Sequence, residues 1–236
     1  MKIIGVIPAR YGSKRLTGKP LIQFHNKPLI QITYEAIVSS KLFDSIFIAT
    51  ESEIIKKTVI QFGGQCIMTS KEAKNGTERC AELIRKISRN IAKDDIIINI
   101  QCDEPFIKKE HLKKLIDVLK EKDEIGTIIS PIKNNEINDT SVVKVTKSID
   151  SIATSFSRQR SKLKTNRKLY KHIGVYGYRK KTLYSISNLS PTKSELLEKL
   201  EQLRWLENKH IIHCVFIQEN LISINTNRDI KKVIKN

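Results

Sequence analysis

Short apolar runs alternate with longer amphipathic stretches through the first half of the chain. Four runs of apolar, β-branched residues have the length of buried strands; they span 3–7, 45–50, 65–68 and 96–100. Four stretches with apolar residues at helical spacing predict helices; they span 29–39, 53–62, 77–88 and 109–119. This alternation predicts an α/β fold with a doubly wound, mostly parallel sheet. Ligands of such sheets bind beyond the carboxyl ends of the strands, so the loops after Ile7, Thr50, Met68 and Ile100 are the candidate binding loops.

The pattern changes after about residue 125. Three further runs, at 127–130, 142–146 and 172–179, predict strands without long helices between them. Leucines near 3.6 spacing predict one amphipathic helix over 193–208, followed by a strand at 215–224 and a short helix at 227–234. We therefore expect one domain over residues 1–236. Within it, 150–210 is expected to form a flap or a small dimer-forming subdomain that lies over the sheet.

Composition is that of an ordinary globular protein. The 236 residues are 39% hydrophobic and 29% charged, and no apolar run approaches the roughly 18 residues of a membrane span. The apolar N-terminal run is too short for a signal peptide and is interrupted by Pro8 and Arg10. The four cysteines lack CxxC spacing, which argues against a zinc module and a disulfide framework. We expect a cytoplasmic protein that does not bind membranes.

The charge balance is unusual. There are 43 Lys and Arg residues against 25 Asp and Glu residues, a formal net charge of +18. Such a field attracts nucleic acid, anionic membranes or phosphorylated small molecules. The alternative is a general lysine bias spread over solvated faces, so the charge alone does not identify a partner.

The loop after the first strand has the composition of a phosphate-binding loop. Residues 8–21 read PARYGSKRLTGKPL, with Gly12, Gly18, Ser13 and the cations Arg10, Lys14, Arg15 and Lys19. Backbone N–H groups at glycines, flanked by Arg and Lys, suit a triphosphate. The loop matches neither a Walker A sequence nor GxGxxG, and a basic glycine loop can also be a solvated turn.

Two carboxylates follow the fourth predicted strand. Asp103 and Glu104 come directly before Pro105, where a divalent cation bridging nucleotide phosphates would bind. The alternative is that they mark the entry to the next helix, since acidic residues and proline are common there.

Several motifs together resemble one enzyme family. They are IPARYGSKRL at 7–16 with GKPL at 18–21, ATE at 49–51, GTER at 76–79, QCDEP at 101–105, YKHIGVYGYR at 170–179 and LEQLR at 200–204. In this order they resemble the 3-deoxy-manno-octulosonate cytidylyltransferases, the CMP-Kdo synthetases of lipopolysaccharide biosynthesis. The resemblance extends from Ile4 to about Ile230. The His172 strand and the Glu201–Gln202 pair are its most specific parts.

The resemblance implies an activity, a fold and partners. Members transfer CMP from CTP to 3-deoxy-D-manno-octulosonate (Kdo), use magnesium and release pyrophosphate. The implied fold is nucleotide-diphospho-sugar transferase-like, a Rossmann-like α/β architecture. A homodimer is implied, with 150–210 as a dimerisation or sugar-binding subdomain and with no nucleic-acid partner.

The resemblance also assigns roles to individual residues. Arg10, Lys19 and Asp103 are the implied catalytic residues. The implied nucleotide ligands are Ala9, Arg10, Ser13, Lys19, Arg79 and Gln101. The implied sugar ligands are Gln101, Arg158, His172, Glu201 and Gln202. The implied magnesium ligands are Asp103 and Asn225. No covalent nucleophile is needed, because positioning and charge neutralisation at the α-phosphate account for the transfer.

Some positions depart from the family pattern. Asn225 stands where a second acidic magnesium ligand is usual, so one negative charge is lost. Cys102 replaces a glycine, which is unfavourable if the loop needs a positive φ. Ala73 and Asn75 replace a His and a Ser, and Glu51 replaces an Asp. Asp229, four residues after Asn225, is expected to cap the last helix.

Two alternatives stay open at this stage. One is a cytidylyltransferase for another 2-keto acid sugar, such as 8-amino Kdo or a sialic-type acid. The other is a non-catalytic, basic RNA- or anion-binding protein on the same fold. The basic stretch 158–171 favours the second alternative, but it is not interleaved with aromatic residues as stacking platforms require.

Overall fold

The computed structural model describes residues 1–12, 16–24, 26–163 and 167–234. The strands of this part are β1 (Ile3–Pro8), β2 (Gln23–Phe24), β3 (Lys27–Pro28), β4 (Ser45–Thr50), β5 (Cys66–Met68), β6 (Ile96–Ile100), β7 (Ile125–Pro131), β8 (Lys144–Lys147), β9 (Ala153–Ser157), β10 (Tyr170–Arg179) and β11 (Ile212–Phe216). The helices are α1 (Leu29–Ser40), α2 (Glu53–Gln61), α3 (Gly76–Lys86), α4 (Lys109–Glu121), α5 (Lys180–Ser187), α6 (Lys193–Glu198), α7 (Glu201–Glu207) and α8 (Asn227–Ile234). Among these described residues, no helix is both long and apolar enough to cross a membrane.

Nine of the described strands form one mixed sheet, with the main order β11-β7-β10-β6-β1-β4-β5. Strands β5, β4, β1 and β6 pair in parallel, and β7 pairs in parallel with β11. Strand β10 is antiparallel to both of its neighbours, β6 and β7. The hairpin β8–β9 joins the sheet through β10. The predicted α/β fold and mostly parallel sheet are therefore confirmed, with β10 and the hairpin strand β9 running in the opposite direction.

Helices cover both faces of the sheet. In β6, Ile97 packs in one apolar cluster with α3, whereas Ile96, Ile98 and Ile100 pack in the other with α1 and α4. All five residues of β6 are buried, which explains why four of them are isoleucine, and the polar one, Asn99, donates to the Tyr178 hydroxyl at 3.0 Å. Burying each isoleucine contributes about 1.5–3 kcal/mol, so both layers hold the central strands in place.

The predicted helix over 193–208 is wrong as a single element. Two helices, α6 and α7, occupy this range, and Lys199 lies between them in the left-handed region with φ 56°. The leucine spacing is misleading because Leu196 and Leu197 are exposed while Leu200 is buried. The apolar positions of this stretch therefore do not share one buried helix face.

The predicted strand over 215–224 is also wrong in extent. Strand β11 covers Ile212–Phe216, and the chain then leaves the sheet. The Ile217 N–H still donates to the Ile129 carbonyl of β7 at 2.9 Å, but Leu221 and Ile224 are buried outside the sheet, and the Ile224 N–H donates to the Asp103 carbonyl at 2.9 Å. An apolar run that packs against the core as irregular chain has the same local composition as a buried strand.

Candidate active site

A cavity of about 970 Å³ opens at the carboxyl ends of β1 and β6. Predicted site residues from distant parts of the chain line it: Arg10, Arg79, Gln101, Asp103, Arg158, His172, Glu201, Gln202 and Asn225. Ala9 and Lys19 lie beside this group, as described below. Ser13, the remaining predicted residue, lies outside the described residues. The fold thus brings cations, carboxylates, amides and an imidazole from seven segments of sequence to one cavity.

The first loop is held at both of its ends by backbone hydrogen bonds. The buried Ala9 donates its N–H to the Ala49 carbonyl at 2.8 Å, which continues the pairing of β1 with β4. The Tyr11 N–H donates to Glu51 Oε1 at 2.9 Å. Gly18 has φ 66°, a left-handed conformation that favours glycine, and its N–H donates to the Tyr11 carbonyl. This arrangement leaves the exposed Arg10 at the cavity rim.

Lys19 and Asp103 form an ion pair at the edge of the cavity, which Asp103 lines. Lys19 Nζ lies 2.6 Å from Asp103 Oδ2, and the two side chains are 11% and 17% exposed. The resemblance assigned these residues to different ligands, the phosphates and the magnesium ion. Without those ligands, the two charges neutralise each other.

The donor set around Asp103 fits a magnesium ion that is shared with phosphates. Asn225 lines the same cavity, next to Ile224, whose N–H is hydrogen-bonded to Asp103. No group of three His, Cys, Asp or Glu residues that could hold a metal occurs in the part of the chain that the structure describes. One carboxylate and one amide oxygen suit Mg²⁺, which keeps several waters and commonly binds substrate phosphates. The residues present fit such an ion but do not form an all-protein cage.

Glu104 points away from this donor set. Its Oε1 accepts from the Gly174 N–H at 2.9 Å and from Ser223 Oγ at 2.8 Å. Burial, with a contribution from Asp103, raises the pKa of Glu104 to about 7. The neighbouring Cys102 is buried and has no positive φ, so the cysteine is tolerated where the family has glycine. Glu104 therefore links the loop after β6 to β10 and to the C-terminal segment.

Arg79 lines the cavity, but its guanidinium is committed to protein partners. Nη2 lies 2.9 Å from Glu51 Oε2, and Nη1 donates to Thr69 Oγ1 at 2.5 Å and to the Ser70 carbonyl at 3.2 Å. Glu51 is the residue that also holds the Tyr11 N–H. Arg79 thus braces the first loop through Glu51, in addition to any charge it contributes to the cavity.

His172 is held as a neutral imidazole. Its Nε2 lies 3.0 Å from Thr127 Oγ1, and the Thr127 hydroxyl donates its hydrogen to the Val175 carbonyl at 2.8 Å. The Thr127 oxygen is therefore an acceptor for His172 Nε2–H, which leaves Nδ1 as the acceptor of the ring. Burial, and secondly the Arg158 charge, lower the pKa of His172 to about 3.

Buried acceptors lie on the α7 side of the cavity. Gln202 is 3% exposed and donates from Nε2 to the Tyr176 hydroxyl. Gln202 Oε1 and Glu201 Oε2 are buried without a hydrogen-bond partner among the described residues. Burial raises the pKa of Glu201 to about 7, although Thr77 and Arg204 oppose the shift. Unpartnered buried acceptors cost free energy until a ligand donates to them, so this wall suits hydroxyl groups.

Arg158 supplies a cation at the same side of the cavity. Its N–H donates to Glu198 Oε2 at 3.1 Å, which fixes the backbone at the end of β9. Its Nη1 lies 3.4 Å from the carbonyl oxygens of Thr140 and Ser141. A guanidinium in this position suits an anionic group next to the hydroxyl-binding wall.

Some residues of the cavity were not predicted. Lys171 is buried, and its Nζ contacts Glu136 Oε1 at 2.8 Å and the Leu221 carbonyl at 2.7 Å. Asn220 donates from Nδ2 to Glu136 Oε2 at 2.7 Å. Glu136 lies 35 residues before Lys171 and 84 before Asn220. No local sequence pattern predicts such contacts. The family motif that contains His172 does include Lys171, but it assigns Lys171 no role.

Comparisons with known proteins identify the family of this chain. A family model described as "Cytidylyltransferase" matches residues 4–218. A 3-deoxy-manno-octulosonate cytidylyltransferase of Thermodesulfovibrio yellowstonii is 42% identical over 245 residues, covering 98% of this chain and 96% of that protein. The protein of the same name from Chlamydia felis is 41% identical over 239 residues, covering 99% of this chain and 93% of that protein.

Solved structures are similar over nearly the whole chain. The structure of CMP:2-keto-3-deoxy-manno-octonic acid synthetase complexed with CTP has a TM-score of 0.88 and 32% identity, covering 100% of this chain and 98% of that one. The 4-diphosphocytidyl-2C-methyl-D-erythritol synthase of Anaerococcus prevotii has a TM-score of 0.61 at 15% identity, covering 99% of this chain and 97% of that one. The second likeness shows the fold alone.

Proposed function

This chain belongs to the 3-deoxy-manno-octulosonate cytidylyltransferase family, and we propose that it transfers CMP from CTP to Kdo, forming CMP-Kdo and pyrophosphate for lipopolysaccharide biosynthesis. The observation that carries the proposal is the two-sided cavity. Arg10 and Lys19 lie at the first loop, and unpartnered acceptors of Glu201 and Gln202 lie opposite. One side suits a triphosphate and the other a polyhydroxy acid. CTP and Kdo have these properties.

The chemistry is a substitution at the α-phosphorus. The anomeric hydroxyl oxygen of Kdo forms a bond to this phosphorus and its proton passes to water, while the bond from phosphorus to the bridging oxygen of the β-phosphate breaks and pyrophosphate leaves with the electron pair. Arg10 and Lys19 neutralise the triphosphate charge that otherwise repels the acceptor carboxylate. The cavity holds the two reactants in contact, which removes most of the entropic barrier to their encounter.

Magnesium is part of this proposal. Asp103 and Asn225 would hold the ion, which when bound supplies charge neutralisation at the phosphates. Lys19 must then exchange Asp103 for phosphate oxygens, which keeps its ammonium next to an anion before and after substrate binding. This exchange is supported by the position of the ion pair beside the cavity.

The acceptor side fits the groups of Kdo. Arg158 would pair with the Kdo carboxylate, while Gln202 Oε1 and Glu201 would accept from its hydroxyls. Neutral His172 offers Nδ1 as a further acceptor. Gln101, whose Nε2 lies 3.5 Å from Asn99 Oδ1, lines the same cavity and would contact the ribose or the sugar.

The proposal includes a homodimer formed through residues 150–210. Leu196 and Leu197 are 66% and 68% exposed on α6, and burying them against a second copy would be favourable. We also place the enzyme in the cytoplasm, where CTP is available. Gel filtration with light scattering tests the dimer, and a monomer at micromolar concentration would contradict it.

Pyrophosphate release tests the activity. The protein is incubated with CTP, magnesium and one acceptor: Kdo, 8-amino Kdo or a sialic acid. We expect rapid release with Kdo and loss of release in Asp103→Asn. Faster turnover of another acceptor would reassign the sugar. No release with any acceptor, together with equal affinity for CTP, UTP, ATP and GTP, would instead support an anion-binding protein.

A further inference from the structure

Arg204 is a buried cation on α7 that contacts three separate segments. It is 2% exposed. Its Nη2 lies 2.6 Å from Glu195 Oε1 and 3.3 Å from Glu78 Oε1, and its Nη1 donates to the Leu189 carbonyl at 2.6 Å. Through this one side chain, α7 is joined to α6, to the loop before α6 and to the first turn of α3.

Glu78, the partner on α3, organises the opposite wall of the cavity. Its Oε2 accepts from the Lys74 N–H at 2.9 Å, and its Oε1 accepts from Asn75 Nδ2 at 3.1 Å. Asn75 in turn caps α3 by accepting from the Glu78 N–H at 2.8 Å. Residues 73–76 line the cavity, and a Cβ on Gly76 would lie only 3.3 Å from Pro8, where the first loop begins. The Glu78 carboxylate therefore holds the segment next to the nucleotide loop.

The first turns of α3 and α7 face each other at two points. Glu201 lies beside Thr77, although Glu201 Oε2 makes no hydrogen bond there, and Arg204 contacts Glu78. Glu201 and Arg204 are three residues apart and thus share one face of α7. That face joins the proposed sugar-binding residues to the helix that starts beside the nucleotide loop.

We propose that Arg204 and Glu78 are positioning residues that set the separation of the nucleotide and acceptor subsites. This inference rests on the proposed function. Reacting atoms must approach to about 3–3.5 Å, so a small shift of α7 relative to α3 lowers the rate even when both substrates are bound. A buried Arg that contacts two carboxylates resists such a shift, because separating the charges would leave one of them uncompensated.

The test is a comparison of binding with turnover in Glu78→Gln. This variant keeps the side-chain size and one acceptor oxygen but removes the negative charge that faces Arg204. We expect the affinity for CTP, measured by calorimetry in EDTA, to stay within twofold, and kcat at saturating CTP and Kdo to fall at least tenfold. Arg204→Lys should likewise keep its affinity for CTP and lose kcat. The double variant should be no slower than the slower single one, because both changes remove the same contact.

A matched control separates positioning from stability. Glu82→Gln, one turn later on α3, removes a carboxylate that also accepts a backbone N–H, that of Ser70, and pairs with Lys86. We expect the melting temperature of Glu82→Gln to change about as much as that of Glu78→Gln. Its kcat, per folded enzyme, should stay within twofold of the wild-type value. If Glu78→Gln does not fold, Glu78→Asp replaces it, because this change retracts the charge by one methylene. We expect Glu78→Asp to keep its affinity for CTP and to lose kcat.

Three results would overturn the inference. A kcat within twofold of wild type in folded Glu78 variants would do so while leaving the proposed function intact. An equal fall of kcat in Glu82→Gln would show that the effect is a general loss of stability. If the wild-type enzyme forms no CMP-Kdo, the proposed function fails and the inference fails with it.

Discussion

Lys19 and Asp103 form an ion pair at a site that, in the proposed function, binds a strongly anionic substrate. Each would be costly to keep partly buried and unpaired, and at 2.6 Å each compensates the other. In the proposed function, binding of a triphosphate with its cation would replace this ion pair by two new ones, one for each side chain. The ion pair therefore holds both side chains in place without a ligand.

His172 gives a prediction at the residue scale. Its pKa is lowered to about 3 in the folded protein, whereas an unfolded chain has a His pKa of about 6.5. As pH falls below about 6.5, only the unfolded state takes up this proton, so the stability contributed by the neutral imidazole is lost progressively towards pH 3. We expect His172→Gln to flatten the fall of the unfolding free energy below pH 6.5 by up to about 1.4 kcal/mol per pH unit.

Urea unfolding at pH 4.5, 5.5, 6.5 and 7.5 measures this effect. His213→Gln is the control, since His213 is less buried and lies 3.4 Å from Glu124. An unchanged slope in His172→Gln would show that the buried ring does not contribute to acid sensitivity.

At the scale of elements, β10 explains how a strand histidine comes to face the cavity. Because β10 is antiparallel to β6, its register pairs Val175 with Ile100 and Arg179 with Ile96. The first half of β10 therefore lies at the carboxyl end of β6, beside Gln101 and Asp103. The Gln101 N–H donates to the Gly174 carbonyl at 2.9 Å and fixes this alignment.

The junction between α6 and α7 gives a prediction at this scale. Lys199 has φ 56°, a conformation that costs an L-residue roughly 1–2 kcal/mol but that glycine adopts freely. Replacing Lys199 by glycine removes this cost, but the greater freedom of glycine in the unfolded chain offsets about 0.4–1 kcal/mol of the stability gained. We expect Lys199→Gly to raise the unfolding free energy by about 0.5–1 kcal/mol, measured by chemical denaturation.

Lys57→Gly, on the exposed face inside α2, is the comparison. Glycine in a helix interior should lower the unfolding free energy by about 1 kcal/mol, the opposite sign. A loss of stability in Lys199→Gly would show that the lysine side chain contributes more than its backbone strain costs.

At the scale of the whole molecule, the C-terminal segment returns to the centre of the sheet. After β11 it passes Glu104 and Asp103 before α8 begins, through Ser223 and the Ile224 N–H. The Asp229 carboxylate accepts from the N–H groups of Asn225 and Thr226, in the capping role that was predicted for it. Asn225 is thus held at the cavity by contacts on both sides.

Asn225→Asp tests the role of this segment. A second carboxylate beside Asp103 would strengthen the attraction for Mg²⁺, which prefers hard anionic oxygens. We expect the variant to reach its half-maximal initial rate at a severalfold lower free magnesium concentration than wild type. Asn220→Asp, on the same segment but hydrogen-bonded to Glu136, is the control and should not lower the requirement. An unchanged requirement in Asn225→Asp would place residue 225 away from the metal.

The hydrophobic pattern of neighbouring residues was sufficient to predict the limits of the central strands and the loops that follow them. Strands β4 and β6 have the predicted limits, and α8 covers the predicted range, because continuous apolar runs and helical spacing are properties of neighbouring residues. The first loop and the Asp103 loop were identified for the same reason, since each follows a buried strand directly. The family motifs added His172, Glu201 and Gln202, which local pattern alone could not assign.

Tertiary packing alone decided the partners of these residues. The break at Lys199, the direction of β10 and the orientation of Glu104 towards Ser223 depend on which surfaces meet. The contact between Arg204 and Glu78 joins residues 126 positions apart. Periodicity reports whether a position is buried, but not what it is buried against, because that depends on how separate elements pack together.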